Sequence, residues 1–291
     1  MVEEMNSIYN MLIKQRHAYD KSHIDLTYVT HFYCNQKTID SVTDLLRQYE
    51  RYPESILDRV EFIIVDDCSP INYEIPQLNL NYRWLRITNN IPWNQGGARN
   101  LGVIYAKSDK ILMSDLDHAF PAETLAYLAS RPNPGRCFYK LRRKSPEGKL
   151  YPGHANLFFM SRARFLRFYG YDEEYCGNYG AEDYRFVKFH KYHGSRQCYL
   201  PAKAWCYERE LNREDSYHSL ERDLTANTPL DLRKKNECST FGPEYGHSRM
   251  FLNFNWITLG QGTRRPSDLP RIRSYWRPLW WWRWLNPWAS R

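Results

Sequence analysis

The 291-residue chain predicts an α/β fold, a central sheet with helices packed on both faces. Three observations lead to it. Between residues 25 and 120, short apolar runs alternate with amphipathic stretches of helical period. The run VEFIIVD at 60–66 is continuously apolar apart from its acids, as suits a strand buried on both faces. Finally, Asp66, Asp67, Asp115 and Asp117 fall just where such runs end, and ligands of open α/β sheets bind beyond the carboxyl ends of the strands.

Taken in order, residues 1–25 are polar and read as an N-terminal extension. DLTYVTHFYC (25–34) is rich in β-branched and aromatic residues and predicts a strand. KTIDSVTDLLRQYERY (37–52) places Ile39, Val42, Leu45, Leu46 and Tyr49 on one helical face. The strand ending in VDDCSP completes a βαβ start. YRWLRIT (82–88) predicts another strand, GGARNLGVIYAKS (96–108) a helix opened by two glycines, and KILMS (110–114) a strand leading into SDLDHAF. In the second half, PAETLAYLASR (121–131) predicts a helix with Pro121 in its first turn. CFYKLRRK (137–144) and NLFFMSR (156–162) predict strands, and AEDYRFVKFHKYHG (181–194) a helix stopped by Gly194.

Composition narrows the functional classes. Hydrophobic residues make up 42% and charged residues 25%, ordinary values for a globular protein. The net charge of +8 is concentrated: residues 262–291 hold seven arginines and one aspartate, leaving only +2 on the rest. A nearly neutral body argues against a nucleic-acid partner. Seven scattered cysteines without a CxxC pair argue against a zinc site or disulfide framework and for reduced thiols. The N-terminus lacks the apolar core of a signal peptide, and no stretch has the roughly 18–20 apolar residues of a membrane span. The expected localisation is cytoplasmic. The tail RIRSYWRPLWWWRWLNPWASR (271–291) interleaves tryptophan with arginine, which suits peripheral contact with an anionic membrane face, although folding back on the domain or pairing with another copy are equally simple uses.

Two acidic stations carry the chemistry. In an extended segment, Asp115 and Asp117 project to the same side and repel each other unless a cation compensates. A divalent Mn²⁺ or Mg²⁺ satisfies that need with oxygen ligands; a solvated turn after a strand is the plainer alternative. Glu182 and Asp183 fall at the start of a helix, where they serve either as a second functional carboxylate pair or simply as dipole-compensating residues.

The blocks VEFIIVDDCSP, NQGGARNLGVIYAKSDKILMSDLDHAF and GHANLFFMSRARFLRFYGYDEEYCGNYGAEDYRF, in this order across roughly residues 26–235, resemble family 2 glycosyltransferases with the GT-A fold. The resemblance implies a Rossmann-like nucleotide-binding mixed sheet flanked by helices. It divides the chain into an extension (1–25), a GT-A domain (26–235, with a nucleotide-binding half at 26–120 and an acceptor-binding half at 121–235) and a C-terminal extension (236–291). It also implies a metal-dependent, inverting transfer from a nucleotide sugar of the UDP type to a hydroxyl of a glycan or lipid-linked acceptor. Residue by residue, Asp67 matches the acid that binds the nucleotide base, with Asp66 beside it, and Arg99 and Asn100 match a segment near the nucleotide. Asp115 and Asp117 match the DxD, the last acid on the metal and the first on the ribose or a metal-bound water. Asp183 matches the catalytic base, Glu182 its supporting neighbour, and His218 a further metal ligand. Two other readings stand beside this one: a non-catalytic carbohydrate- or nucleotide-binding protein on the same scaffold, and a phosphatase of the haloacid dehalogenase kind, which also ends a strand in DxD.

Overall fold

The computed structural model describes residues 23–153 and 156–264. Residues 1–22 of the expected extension (1–25), the Trp/Arg tail at 271–291, and His154 and Ala155 lie outside the described residues.

The first half follows the predicted alternation. Strand β1 (Leu26–Phe32) leads to helix α1 (Asp40–Glu50) and a short α2 (Glu54–Leu57), then to β2 (Val60–Asp66) and β3 (Asn81–Ile87). Helix α3 (Gln95–Tyr105) and strand β4 (Lys110–Met113) follow. Strands β1, β2, β3 and β4 are mutually parallel, with β1 between β2 and β4. Every residue of β2 is buried, as its continuous apolarity required. Of its two acids, Glu61 is paired with Lys107 at 3.0 Å and Asp66 closes the strand.

The second half makes the sheet mixed. Helix α4 (Ala122–Ser130) starts immediately after Pro121. The single strand expected at 137–144 is two: β6 (Cys137–Lys140) and β7 (Arg142–Lys144), which part at Leu141 and join different sheets. Strand β9 (Phe158–Ser161) runs antiparallel between β4 and β6, and β10 (Arg196–Tyr199) lies parallel to β6. Helix α5 (Arg162–Arg167) and helix α6 (Glu182–Tyr192) lie between them in the chain. A smaller four-stranded sheet gathers β5 (His118–Ala119), β11 (Trp205–Glu208), β7 and β8 (Leu150–Pro152).

Helix α7 (Thr228–Phe241) spans position 235, where the domain was expected to end, and β12 (Trp256–Gly262) pairs antiparallel with β3. The eight-stranded order is β10-β6-β9-β4-β1-β2-β3-β12, so the sheet continues into the segment expected to be an extension.

Apolar residues cover both faces of this sheet. Tyr28, Phe62 and Leu112 pack with Leu45, Leu46 and Tyr49 of α1, while Val29, Ile63 and Met113 pack with Leu101 and Ile104 of α3. The alternation along β1 sends Tyr28 and Val29 to opposite layers. Helix α3 comes so close to β1 that a Cβ on Gly102 would stand 2.4 Å from Val29 Cγ1. This approach brings the start of α3 to the carboxyl ends of the strands.

Candidate active site

Beyond the carboxyl ends of β2 and β4, one buried guanidinium organises the acids. Arg99, on the first turns of α3, is 1% exposed. Its Nη2 donates to Asp115 Oδ1 at 2.5 Å and its Nη1 to Asp183 Oδ1 at 2.9 Å. The two stations expected from sequence, 68 residues apart in numbering, thus meet on one side chain. The Arg99 guanidinium also lies over the Tyr171 ring, itself stacked on Phe186 of α6 at 4.4 Å, so packing fixes the bridge from below.

The DxD differs from its expected geometry. Strand β4 ends at Met113 and the chain turns at Leu116–Asp117, so the two carboxylates go to separate partners. Asp115 turns inward, where its second oxygen accepts from Asn156 Nδ2 at 2.7 Å. Burial by itself raises its pKa, but the Arg99 guanidinium more than offsets this and holds the carboxyl well below the usual range. Asp117 faces outward and accepts from Arg213 Nη2 at 3.1 Å and from the Tyr217 hydroxyl at 3.2 Å. The two carboxylates of the DxD are each paired with an arginine, Asp115 with Arg99 and Asp117 with Arg213.

For a divalent cation, the donors fit only in part. Both Asp115 oxygens are hydrogen-bonded, one to Arg99 and the other to Asn156. Asp117 remains, and His218 is close enough to feel its charge. The buried Nδ1 of His218 has no hydrogen-bond partner among the described residues. Its ring stacks on Tyr217 at 4.6 Å and meets Trp93 edge-on at 5.0 Å, and burial together with Arg222 and Arg213 lowers its pKa to about 4. A neutral imidazole beside a carboxylate is the right donor chemistry, since Mg²⁺-type sites need one or two protein ligands plus substrate phosphates. No group of three or more His, Cys, Asp or Glu side chains suited to a metal occurs among the described residues.

The remaining expected residues divide by role. Asp66 closes its own turn: it accepts from Ser69 N–H at 2.8 Å and the Tyr73 hydroxyl at 2.5 Å, with Arg86 nearby at 3.5 Å. Asp67 instead accepts from Asn94 Nδ2 at 3.0 Å, and burial pushes its carboxyl up to about 7. Asn100 joins two segments of the chain. It donates to Tyr171 O at 2.9 Å and Glu173 Oε1 at 2.8 Å, and accepts from Tyr171 N–H, which ties α3 to the loop before α6.

Glu182 and Asp183 differ more than their adjacency suggests. Glu182 is 5% exposed and hydrogen-bonds Gln95; burial, then the neighbouring Asp183, push its carboxyl up to about 7. Asp183 keeps 19% of its side chain exposed and lines a cleft of about 390 Å³. The residue before them, Ala181, sits at φ 79°, a conformation disfavoured for a side chain with a Cβ. That left-handed step follows Gly180 at φ 94° and aims the first turn of α6 at Arg99. Three partners were missed in the sequence: Gln95, Asn156 and Arg213 are polar residues in loops or helix starts, and only their long-range pairing reveals them.

A mixed sheet whose parallel strands end in carboxylates, with an acidic helix start brought against them, defines the GT-A class of α/β fold. The chain belongs to glycosyl transferase family 2, whose sequence profile matches residues 29–187. No curated protein sequence matches significantly. Among solved structures, TarS 1–349 of S. aureus in complex with UDP-GlcNAc is similar at 18% identity and TM-score 0.50, covering 73% of this chain and 66% of that one. A mannosyltransferase, PcManGT from Pyrobaculum calidifontis, in complex with GDP-Man and Mn²⁺, aligns at 15% identity and TM-score 0.47, covering 82% and 74%. The chain spans just under two thirds of the TarS fragment, and 39% of the longer TarS structure.

Proposed function

We propose that the chain transfers a sugar from a nucleotide-sugar donor of the UDP type to a hydroxyl of a glycan or lipid-linked acceptor, inverting the anomeric centre. The observation that carries this reading is the Arg99 bridge, which fixes Asp183 at the edge of a cleft and joins it to the DxD turn. Family membership and the fold shared with TarS, which was crystallised with UDP-GlcNAc, support it.

In this reading Asp183 accepts the proton of the acceptor hydroxyl as its oxygen forms a bond to the anomeric carbon, while the bond from that carbon to the diphosphate breaks. General-base help of this kind is worth about 10²- to 10⁴-fold. Arg99 orients the carboxylate through Oδ1. Glu182 is a positioning residue, held by Gln95 behind Asp183. Asp67 and Asn94 bind the base of the nucleotide at the end of β2, and Asp115 supports that edge through Arg99 and Asn156. Asp117 and His218 are the residues that would hold Mn²⁺ or Mg²⁺, which when bound stabilises charge on the leaving diphosphate as a Lewis acid. Residues 26–120 form the donor half and 121–235 most of the acceptor half. The chain works on the cytoplasmic side, with residues 271–291 resting on the membrane face.

Screening nucleotide sugars for Mn²⁺-dependent thermal stabilisation tests the donor assignment, because a ligand that prefers the native state raises its apparent stability. A UDP-sugar is expected to raise Tm in the wild type and much less in Asp117→Ala. Stabilisation by no nucleotide sugar, with hydrolysis of simple phosphate esters instead, overturns the reading.

A further inference from the structure

The cleft beside Asp183 carries more positive charge than a site for a neutral sugar needs. Its walls are α6, β6 and β10, and its lining includes Lys140, Asp183, Tyr184, Lys188, Lys191 and Gln197. Its volume of about 390 Å³ lies within the range of small-molecule sites. That lining sets one carboxylate, Asp183, against three lysines. Lys188 and Lys191 form no ion pair among the described residues. Lys140 is 8% exposed, with its Nζ 3.9 Å from the centre of the Phe158 ring, and burial lowers its pKa to about 8.

Helix geometry spaces these charges from the reacting position. Lys188 and Lys191 lie five and eight residues beyond Asp183 on α6, about 8 and 12 Å along its axis. The cleft also has an aromatic side. Tyr184 of α6 lines it, is 44% exposed, and has the Arg185 guanidinium over its ring at 5.3 Å. An exposed ring flanked by cations offers a stacking face to a sugar and charge-assisted hydrogen bonds to an anion.

We propose that this cleft selects a saccharide acceptor bearing an anionic group, phosphate or carboxylate, held by Lys140, Lys188 and Lys191 while the accepting hydroxyl lies at Asp183. This rests on the reading of Asp183 as the base and adds the acceptor's class to it. The three ammonium groups set the register of the acceptor: an anion bound at the far end of α6 places the hydroxyl at the near end.

Lysine footprinting on the full chain tests the proposal. The amines are acylated with a limiting active ester, and modification of each lysine is read by mass spectrometry with hexagalacturonate, phosphorylated maltohexaose or neutral maltohexaose present. Lys37, in a separate polar recess where it pairs with Asp215, is the internal reference. One anionic probe at saturation is expected to slow acylation of Lys188 and Lys191 about threefold or more relative to Lys37, and the neutral probe is expected to leave them unchanged. Which probe protects decides between carboxylate and phosphate. Protection by neither anion, or equal protection by neutral maltohexaose, overturns the proposal. Protection together with undiminished transfer by Asp183→Asn would instead leave the cleft standing and remove the base.

Discussion

At the residue scale the account turns on Arg99. A buried guanidinium with two carboxylate partners is held by mutual satisfaction, and removing it strands both acids. Arg99→Met is therefore expected to lower unfolding free energy by about 3–5 kcal/mol, measured by urea denaturation, and to abolish transfer in whatever protein remains folded. Protonation of Glu182 gives a second expectation. Its carboxyl faces Gln95 of α3, Asp183 on its own helix, and the charges of Arg99 and Asp115, and it titrates near 7 rather than at its ordinary 4.5. An acid that binds its proton more tightly when folded loses stabilisation as pH rises from the unfolded value and levels off above the folded one. The contribution of Glu182 should thus decline between about pH 4.5 and 7, against an opposing gain from the buried imidazoles of His31, His190, His218 and His247, whose pKa values burial lowers. Asp67 adds to this decline from a lower starting point. Glu182→Gln should remove its share of the decline, so that the variant gains stability relative to wild type as pH rises between those values, as read from urea midpoints. The acids themselves were legible in the sequence as VDD, DLD and AED. Their arrangement was not, because Arg99 finds its partners 16 and 84 residues away and no local pattern marks such a pairing.

At the element scale, close approach matters more than propensity. Helix α3 presses Gly102 against Val29, so Gly102→Ala forces a Cβ to 2.4 Å from a methyl group of β1. The expected cost is about 1–3 kcal/mol, read as a lower Tm, with a fall in activity as the start of α3 and Arg99 shift. The long amphipathic helices and the fully buried strands of the first half were legible, since each offers seven or more residues of clear period. Strands β10 and β11 were not: each has only four residues, and RQCY is mostly exposed, so neither alternation nor continuous apolarity shows. The break between β6 and β7 was hidden for a different reason. CFYKLRRK suits a strand throughout, and only the tertiary demand to serve two sheets parts it at Leu141. Likewise β12, with two glycines in WITLGQG and a register shift between Thr258 and Gly260, is a strand because the edge of β3 is there to pair with.

At the scale of the whole molecule, sequence order predicted the parallel first half of the sheet well because parallel βαβ units leave few topologies open. The second half depends on antiparallel β9 and on a second sheet, neither of which local sequence specifies. The Trp/Arg tail belongs to this scale too. Flotation with anionic liposomes should carry the full chain upward and leave a chain lacking residues 271–291 in the dense fraction, the difference shrinking at high salt. What unifies the molecule is the claim that its fold exists to hold Asp183 against an acceptor hydroxyl within reach of a nucleotide sugar. Steady-state transfer by Asp183→Asn, compared with wild type using the nucleotide sugar that stabilises both, tests it most directly. The side chain keeps its shape and one hydrogen-bond acceptor toward Arg99 but loses its basicity. The account expects turnover to fall by about 10²- to 10⁴-fold with donor binding retained. Turnover within a few-fold of wild type, with the same donor affinity, would contradict it.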